Sequence, residues 1–340
     1  MTRNRWMMAA VALFAVQALS VAETSKNVLL IGWDGARRGH VEKMLERNEL
    51  PTLAALKAEG KMVNINVTTG ATDTKAGWSQ ILTGYHPNTT GVHSNGKYQP
   101  IPKGYTIFER AEKAFGDDKV YTAMIVAKSG HVDAAGPVKV PYQRWKTRSE
   151  KGPLKNLPEQ ARLRRNGMKV IQEGARRFVV APGKPYFNAK DGMDLFVNGL
   201  KTDEAVSTRT LSEIEKNKDK RFLIFAHFAR PDHDGHQFGE GSKEYSAGLK
   251  EDDEWTGKII KRLKEMNLYK DTTVYVVVDH GFDVGKTTHR NAPYVFMATN
   301  DTEVRRPGDR ADIGPTVLKR LGIDIAKLEP PLFGKPLTER

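Results

Sequence analysis

The chain has 340 residues, a formal net charge of +13 and no cysteine. Disulfides, thiolate metal sites and cysteine nucleophiles are therefore excluded. The lysines and arginines are spread along the chain without a nucleic-acid-binding signature; most read as a solvated surface, and the basic balance suits a small anionic substrate or an anionic surface and points to no nucleic-acid partner.

The first predicted element is a leader. Arg3 and Arg5 precede an apolar stretch, and Ser20-Val21-Ala22 is a small-x-small cleavage pattern. A signal peptide over residues 1–22 is expected, with export to the periplasm or beyond and no stable membrane span after cleavage. The remaining 340 − 22 = 318 residues suffice for a single catalytic domain over 23–340.

Buried parallel strands are expected at Val28 to Gly32, Val120 to Val126, Phe222 to Phe228, Val274 to Val278 and Tyr294 to Ala298, each a short apolar run. Helical patterns lie between them. Pro51 to Glu59 has an early proline and Gly60 at its stop. Tyr245 to Met266 carries spaced apolar residues, and Ala311 to Leu321 ends at Gly322. Alternation of strand and helix predicts an α/β fold, a mostly parallel sheet sandwiched by helices. The less regular, Lys/Arg/Gly/Pro-rich middle of the chain predicts a cap-like insertion roughly within 97–219.

In an open α/β sheet ligands bind beyond the carboxyl ends of the strands. The run "TTVYVVVDHGF" ends its strand in Asp279 and His280. "NVLLIGWDG" ends in Asp34, and "FLIFAHFARPDHDGH" leaves its strand and reaches Asp232 and His236. "GKTTHRNAPYVFMATN" places His289 before a strand. One such Asp is as readily the N-cap of the next helix. Six oxygen and nitrogen donors at strand ends point instead to Zn²⁺, with Mn²⁺ or Ca²⁺ as alternatives, and divide into two sites of three. Two metals about 4 Å apart suit in-line phosphoryl displacement. Within "PDHDGH" the chemistry alone leaves His233 and Asp234 open as alternative ligands.

Between Thr68 and Gly96 the chain is hydroxyl-rich, and "GWSQILTG" predicts a short helix ending at Gly84. A hydroxyl at that helix's N-terminus would meet free backbone N–H groups and the positive end of the dipole, a setting for an anionic ester and an oxygen nucleophile. Thr72, Thr74 and Ser79 are the candidates, which this argument does not separate.

The set WDG, T-x₉-G-Y-x-P, PDxxGH, DHG and a late H-x₃-P resembles the alkaline phosphatase superfamily, nearest to its type I phosphodiesterase/nucleotide pyrophosphatase and sulfatase-like branch. The resemblance runs from Asn27 to about Asp324 and is thinnest between Pro100 and Asp219. It implies a nucleophile ten positions before the glycine of "LTG", which is Thr74, and a phosphate-binding Asn twenty-one positions further on, which is Asn95. It implies Asp232, His236 and His289 on one metal, and Asp34, Asp279, His280 and Thr74 on the other. "IVAKSGHVDAAG" resembles the segment that supplies a phosphate-binding lysine, making Lys128 a candidate, with His131 where an Arg often stands.

The expected activity is metal-dependent hydrolysis of phosphate esters, mono- or diesters, through a phosphothreonine. Sulfatase-like or phosphonate hydrolysis and exported phosphoryl-alcohol transfer are the alternatives. Thr74 cannot become formylglycine, which disfavours sulfate esters. The Pro-Asn that follows the nucleophile in nucleotide pyrophosphatases is absent, which disfavours nucleotides. A phosphoglycerate-mutase-like role is set aside because such enzymes are cytosolic. Trp78, Trp145 and Tyr121 are the aromatic candidates for a wall against a diester's second substituent.

Overall fold

The computed structural model describes residues 24–165 and 167–339, with only the backbone of Arg165; the leader lies outside them. Eleven strands form two sheets. In the larger sheet β1 (Asn27–Trp33), β2 (Lys61–Asn66), β3 (Val120–Val126), β7 (Leu195–Val197), β8 (Arg221–Phe228), β9 (Thr272–Val277), β10 (Tyr294–Thr299) and β11 (Gly308–Asp309) lie in the order β11-β2-β10-β9-β1-β8-β3-β7. The smaller sheet holds β4 (Val138–Pro141), β5 (Lys169–Glu173) and β6 (Arg176–Ala181) in the order β4-β6-β5.

β1 and β3 are buried along their whole length, which is why they read as unbroken apolar runs rather than alternating ones. β1 pairs in parallel with both β8 and β9, and β3 pairs in parallel with β8 and β7. Their carboxyl ends therefore share one edge. β10 runs antiparallel to β9 and β2, so its beginning faces that same edge. This explains why His289 precedes its strand while Asp34, Lys128 and Asp279 follow theirs. Helices Pro51–Glu59, Asp203–Lys216 and Lys243–Glu265 pack on the sheet, and Ile313–Arg320 packs against helices Thr74–Ile81 and Ile107–Phe115.

The smaller sheet lies between β3 and β7 in sequence, with helices Tyr142–Ser149 and Glu159–Arg165 and a small core of Trp145, Leu163 and Val179. Its first and last strand residues, Val138 and Ala181, are partners across the β4–β6 ladder. The rest of the irregular middle of the sequence is not all insertion: β3, β7 and helix Asp203–Lys216 belong to the main sheet and its cover.

Helix Ile107–Phe115 opens with a Thr106–Glu109 capping box and lies against β3. On it Glu112 accepts a 2.6 Å hydrogen bond from Thr122 Oγ1. Burial, with the nearby charge of Asp194 added, pushes the Glu112 carboxyl up to about 7 even though the Thr122 bond opposes the shift. The folded state thus keeps a proton that the unfolded chain releases near 4.5. The stability this group contributes is present below that value and declines as pH rises towards 7. Glu112→Gln is expected to raise the melting temperature near pH 8 relative to wild type and to flatten its pH dependence between pH ~5 and ~8, read by calorimetry.

Candidate active site and metal centre

Each predicted ligand lies at the shared edge. Asp34 follows β1 and is fully buried; it does not cap the next helix, whose N-cap is Arg37. Asp279 and His280 follow β9 and are also fully buried. Asp232 and His236 lie on helix Arg230–Phe238, one turn apart. Their carboxylate and imidazole are 3.5 Å apart. The alternatives in that motif turn elsewhere: the His233 side chain is 75% exposed, and Asp234 pairs with Arg230 at 2.5 Å.

Two groups of donors converge. Asp34, Asp279 and His280 offer ligand atoms within 4.8 Å of one another, and so do Asp232, His280 and His289. His280 Nε2 lies 3.5 Å from both Asp34 and Asp279 and 3.7 Å from Asp232, so it adjoins both groups rather than one. His236 meets the second group through His289, their Nε2 atoms being 3.1 Å apart.

The hydrogen bonding around these donors fits cations. His236, His280 and His289 each donate from Nδ1 to a backbone carbonyl, of Thr287, Gly281 and Thr72 respectively. That tautomer leaves every Nε2 lone pair facing the centre. Asp34 Oδ1, Asp232 Oδ1, Asp279 Oδ2 and His280 Nε2 are buried without a hydrogen-bond partner. Buried orphan acceptors of this kind are costly unless something positive meets them. The protein thus has two candidate buried His/Asp metal sites, as a two-metal enzyme requires.

The charge balance gives the same picture. Burial works against ionisation of Asp34, yet Lys128 and then His227 hold its carboxyl well below the usual range. Asp232 is likewise held low by Lys128 against burial. Asp279 goes the other way: burial and then the Asp34 charge push it well above. Three carboxylates so close cannot all ionise with one ammonium between them. Burial and then His280 lower His289 to about 4, so its imidazole is neutral near neutral pH, as a ligand must be.

Thr74 is the first residue of helix Thr74–Ile81 and is 2% exposed. Asp73 caps that helix, accepting from Ala76 N with one oxygen and from Asn95 N at 2.7 Å with the other. Asn95 Oδ1 in turn accepts from Lys75 N at 2.9 Å. The loop carrying Asn95 is thus latched to the start of helix Thr74–Ile81. Lys128 Nζ reaches Thr74 Oγ1 at 3.4 Å, Asp34 at 2.8 Å and Asp232 at 2.5 Å. The other hydroxyls are elsewhere: Thr72 Oγ1 donates to the His289 carbonyl, and Ser79 is buried in the same helix.

Residues 28–328 match the family described as Type I phosphodiesterase / nucleotide pyrophosphatase. The chain belongs to that family. Among solved structures, it is similar to a protein of the alkaline phosphatase superfamily from Vibrio parahaemolyticus (TM-score 0.57, 16% identity, 94% of this chain and 70% of that one). It is also similar to the alkaline phosphatase of the Antarctic bacterium TAB5 (TM-score 0.53, 15% identity, 89% and 99%). These likenesses establish an alkaline-phosphatase-like fold. Among curated proteins it matches the 2,3-bisphosphoglycerate-independent phosphoglycerate mutase of Clostridium kluyveri, 31% identical over 123 residues. That match covers 33% of this chain and 23% of the mutase, so it spans under a quarter of the relative's length.

Some residues that shape this phosphodiesterase-family site have no strand-end signature. His227, inside β8, sits 2.9 Å from Asp34 through Nε2, and Trp78 Nε1 approaches the same carboxylate at 3.5 Å. Gly77 lets helix Thr74–Ile81 press on the loop that carries Asp279: a Cβ there would stand 2.5 Å from Asp279 Cβ. Arg310 is fully buried, and burial pulls its guanidinium down to about 10. It donates to the carbonyls of Thr69 and Asp279 at 2.8 Å and of Ala71 at 3.2 Å, joining the Thr74 loop to the end of β9. Arg310→Ala strands the carbonyls of Ala71 and Asp279, leaves that of Thr69 with Gln80 Nε2 at 2.9 Å, and opens a cavity. It is expected to cost about 3–5 kcal/mol in urea unfolding and to lower turnover as well.

Proposed function

We propose that this chain hydrolyses phosphate esters, monoesters in preference to diesters, through a phosphothreonine formed on Thr74. The observation that carries this reading is the position of the Thr74 hydroxyl. It lies at a capped helix start, 3.4 Å from the ammonium of Lys128, which itself bonds Asp34 and Asp232. Two divalent cations, zinc first with manganese or calcium as alternatives, would be held by Asp232, His236 and His289 and by Asp34, Asp279, His280 and Thr74, and would supply the positive charge that acidifies a hydroxyl and stabilises a leaving oxygen.

The remaining steps fall to the chain's own groups. Thr74 Oγ, its proton passing to solvent, attacks phosphorus in line; the P–Oγ bond forms as the bond to the alcohol oxygen breaks, and that oxygen takes up a proton from solvent. Water then attacks the phosphothreonine from the vacated side, returning the oxygen to Thr74 and releasing phosphate. Asn95, its Oδ1 engaged by Lys75 N, has its Nδ2 to donate to a non-bridging oxygen. Lys128 supplies the cation that a monoester dianion needs beyond a diester. His227 donates to Asp34 and keeps it aimed.

Aromatic placement supports the monoester preference. Trp78 packs against Phe225 and His227 in the core, Tyr121 is buried in β3 with its hydroxyl on Glu213, and Trp145 lies in the small core with Leu163 and Val179, so none of the three lines the cavity beside Lys128. A cavity of about 740 Å³ opens beside Lys128, Asp232 and His236, with Lys201, Arg230 and Phe238 on its other walls. We further propose that the unit over 138–181 acts as the cap and that the chain is exported; among the described residues no helix is long and apolar enough to cross a membrane. The partial match to phosphoglycerate mutases keeps phosphoryl transfer between hydroxyls as a second reading.

Turnover of p-nitrophenyl phosphate, its bis ester, a phosphonate ester and p-nitrophenyl sulfate by the metal-replete protein tests this proposal. The monoester is expected to lead the others by at least about tenfold in kcat/KM. A lead for the bis ester would reverse the monoester assignment, and a lead for the sulfate would remove the phosphatase reading.

A further inference from the structure

Resting on the phosphate-ester reading, we infer that Lys75 and Lys184, with the ring of Tyr98, form a subsite for a second anionic group carried on the alcohol part of the substrate. Lys75 directly follows the nucleophile and is only 4% exposed. Its Nζ donates to the Asn95 carbonyl at 2.9 Å and stands 4.3 Å from the centre of the Tyr98 ring. Lys184 Nζ, held by the Gly130 carbonyl at 3.2 Å, stands 5.5 Å from the centre of that same ring. Two ammonium groups therefore share one aromatic neighbour.

Neither ammonium is in an ion pair with a carboxylate among the described residues. The acids nearest in influence are Asp73 and Asp133, and both are engaged. Asp73 accepts from Ala76 N and Asn95 N; Asp133 accepts from Ala135 N and from Asn198 Nδ2. His131 stands in the same field: burial, then Lys75 and Lys128, lower it to about 4. A buried cation without a counter-charge is costly. Beside a nucleophile that attacks an anion, such a cluster is balanced when the substrate brings a further negative charge. The reacting phosphoryl group is already assigned to Thr74, Asn95 and Lys128, whereas the common neighbour of Lys75 and Lys184 is Tyr98. The added charge therefore belongs to the alcohol part, as a carboxylate close to the ester oxygen.

The test compares phosphoglycolate with 2-hydroxyethyl phosphate, which differ by a carboxylate against a hydroxymethyl group. Wild-type kcat/KM should favour phosphoglycolate by at least about tenfold, mainly through KM. Lys184→Ala and Lys75→Met should each bring the ratio close to one; because it is a ratio, a general loss of activity divides out. A ratio near one in wild type, or an unchanged ratio in both variants, overturns the subsite. Calorimetric binding of phosphonoacetate against ethylphosphonate needs no turnover. If no ester is hydrolysed the hydrolase reading falls, yet tighter phosphonoacetate binding that Lys184→Ala abolishes still supports the subsite. Equal binding of the two overturns it.

Discussion

Thr74→Ala is expected to lower kcat on a phosphate monoester by at least about a thousandfold, some 4 kcal/mol of transition-state stabilisation. The loss comes from removing the atom that forms the covalent bond, since a methyl group cannot be phosphorylated. The fold should tolerate the change. Thr74 makes no helix-capping bond of its own; that role belongs to Asp73. Metal content should also persist, because the His and Asp donors come from other segments. Thr74→Ser, which keeps the oxygen, should retain measurable turnover. Acid quenching of wild type during turnover should trap a phosphorylated peptide containing Thr74, and the alanine variant should yield none. Turnover of the alanine variant near the wild-type rate would move the nucleophile elsewhere. Thr72 is then the poorer alternative, because its hydroxyl is committed to the His289 carbonyl.

The second large effect is metal removal. Dialysis against a chelator should abolish turnover, with zinc or manganese restoring it, and elemental analysis should find about two ions per chain. Stability should fall together with activity. Without cations, Asp34 and Asp232 share the one ammonium of Lys128, and four donor atoms are left without hydrogen-bond partners among the described residues. A drop in melting temperature of about 10 °C is expected for saturating metal on a chain of this size. The pH dependence has a definite sign. Ligands must be deprotonated, so metal occupancy is complete near neutral pH and is lost as acid protonates the imidazoles and carboxylates. Metal uptake near neutral pH should release protons, Asp279 among their sources because its carboxyl is pushed so far up in the metal-free site. A chelated protein with full activity and an unchanged melting curve would remove the metal centre from the mechanism.

The parts of the site legible in the sequence are those where a polar residue ends an apolar run. Asp34 and Asp279 stand out because seven and six buried strand residues precede them. The converse case, His289, needed the reversed direction of β10 to bring it to the same edge, and pattern alone does not give strand direction. His227 escaped because it lies inside the apolar run of β8 rather than after it. Arg310 escaped for a different reason: its partners, at residues 69, 71 and 279, are far away in sequence, and a lone arginine reads as surface. In the motif "PDHDGH" the helical turn of Arg230–Phe238 decides the matter, burying Asp232, leaving His236 half exposed beside His289 and turning His233 out. The smaller sheet was hard to read because its strands are half exposed, β5 carrying the pattern of exposed residues broken once, so neither an apolar run nor a clean alternation marks it.

The pairing of Val138 with Ala181 has a consequence for how such enzymes diversify. The segment leaves the main fold and rejoins it at adjacent points, so a short hairpin could close the gap that its excision would leave. A longer, shorter or differently charged segment grafted at this junction would leave the strand ends that carry Asp34, Asp279 and His280 where they are.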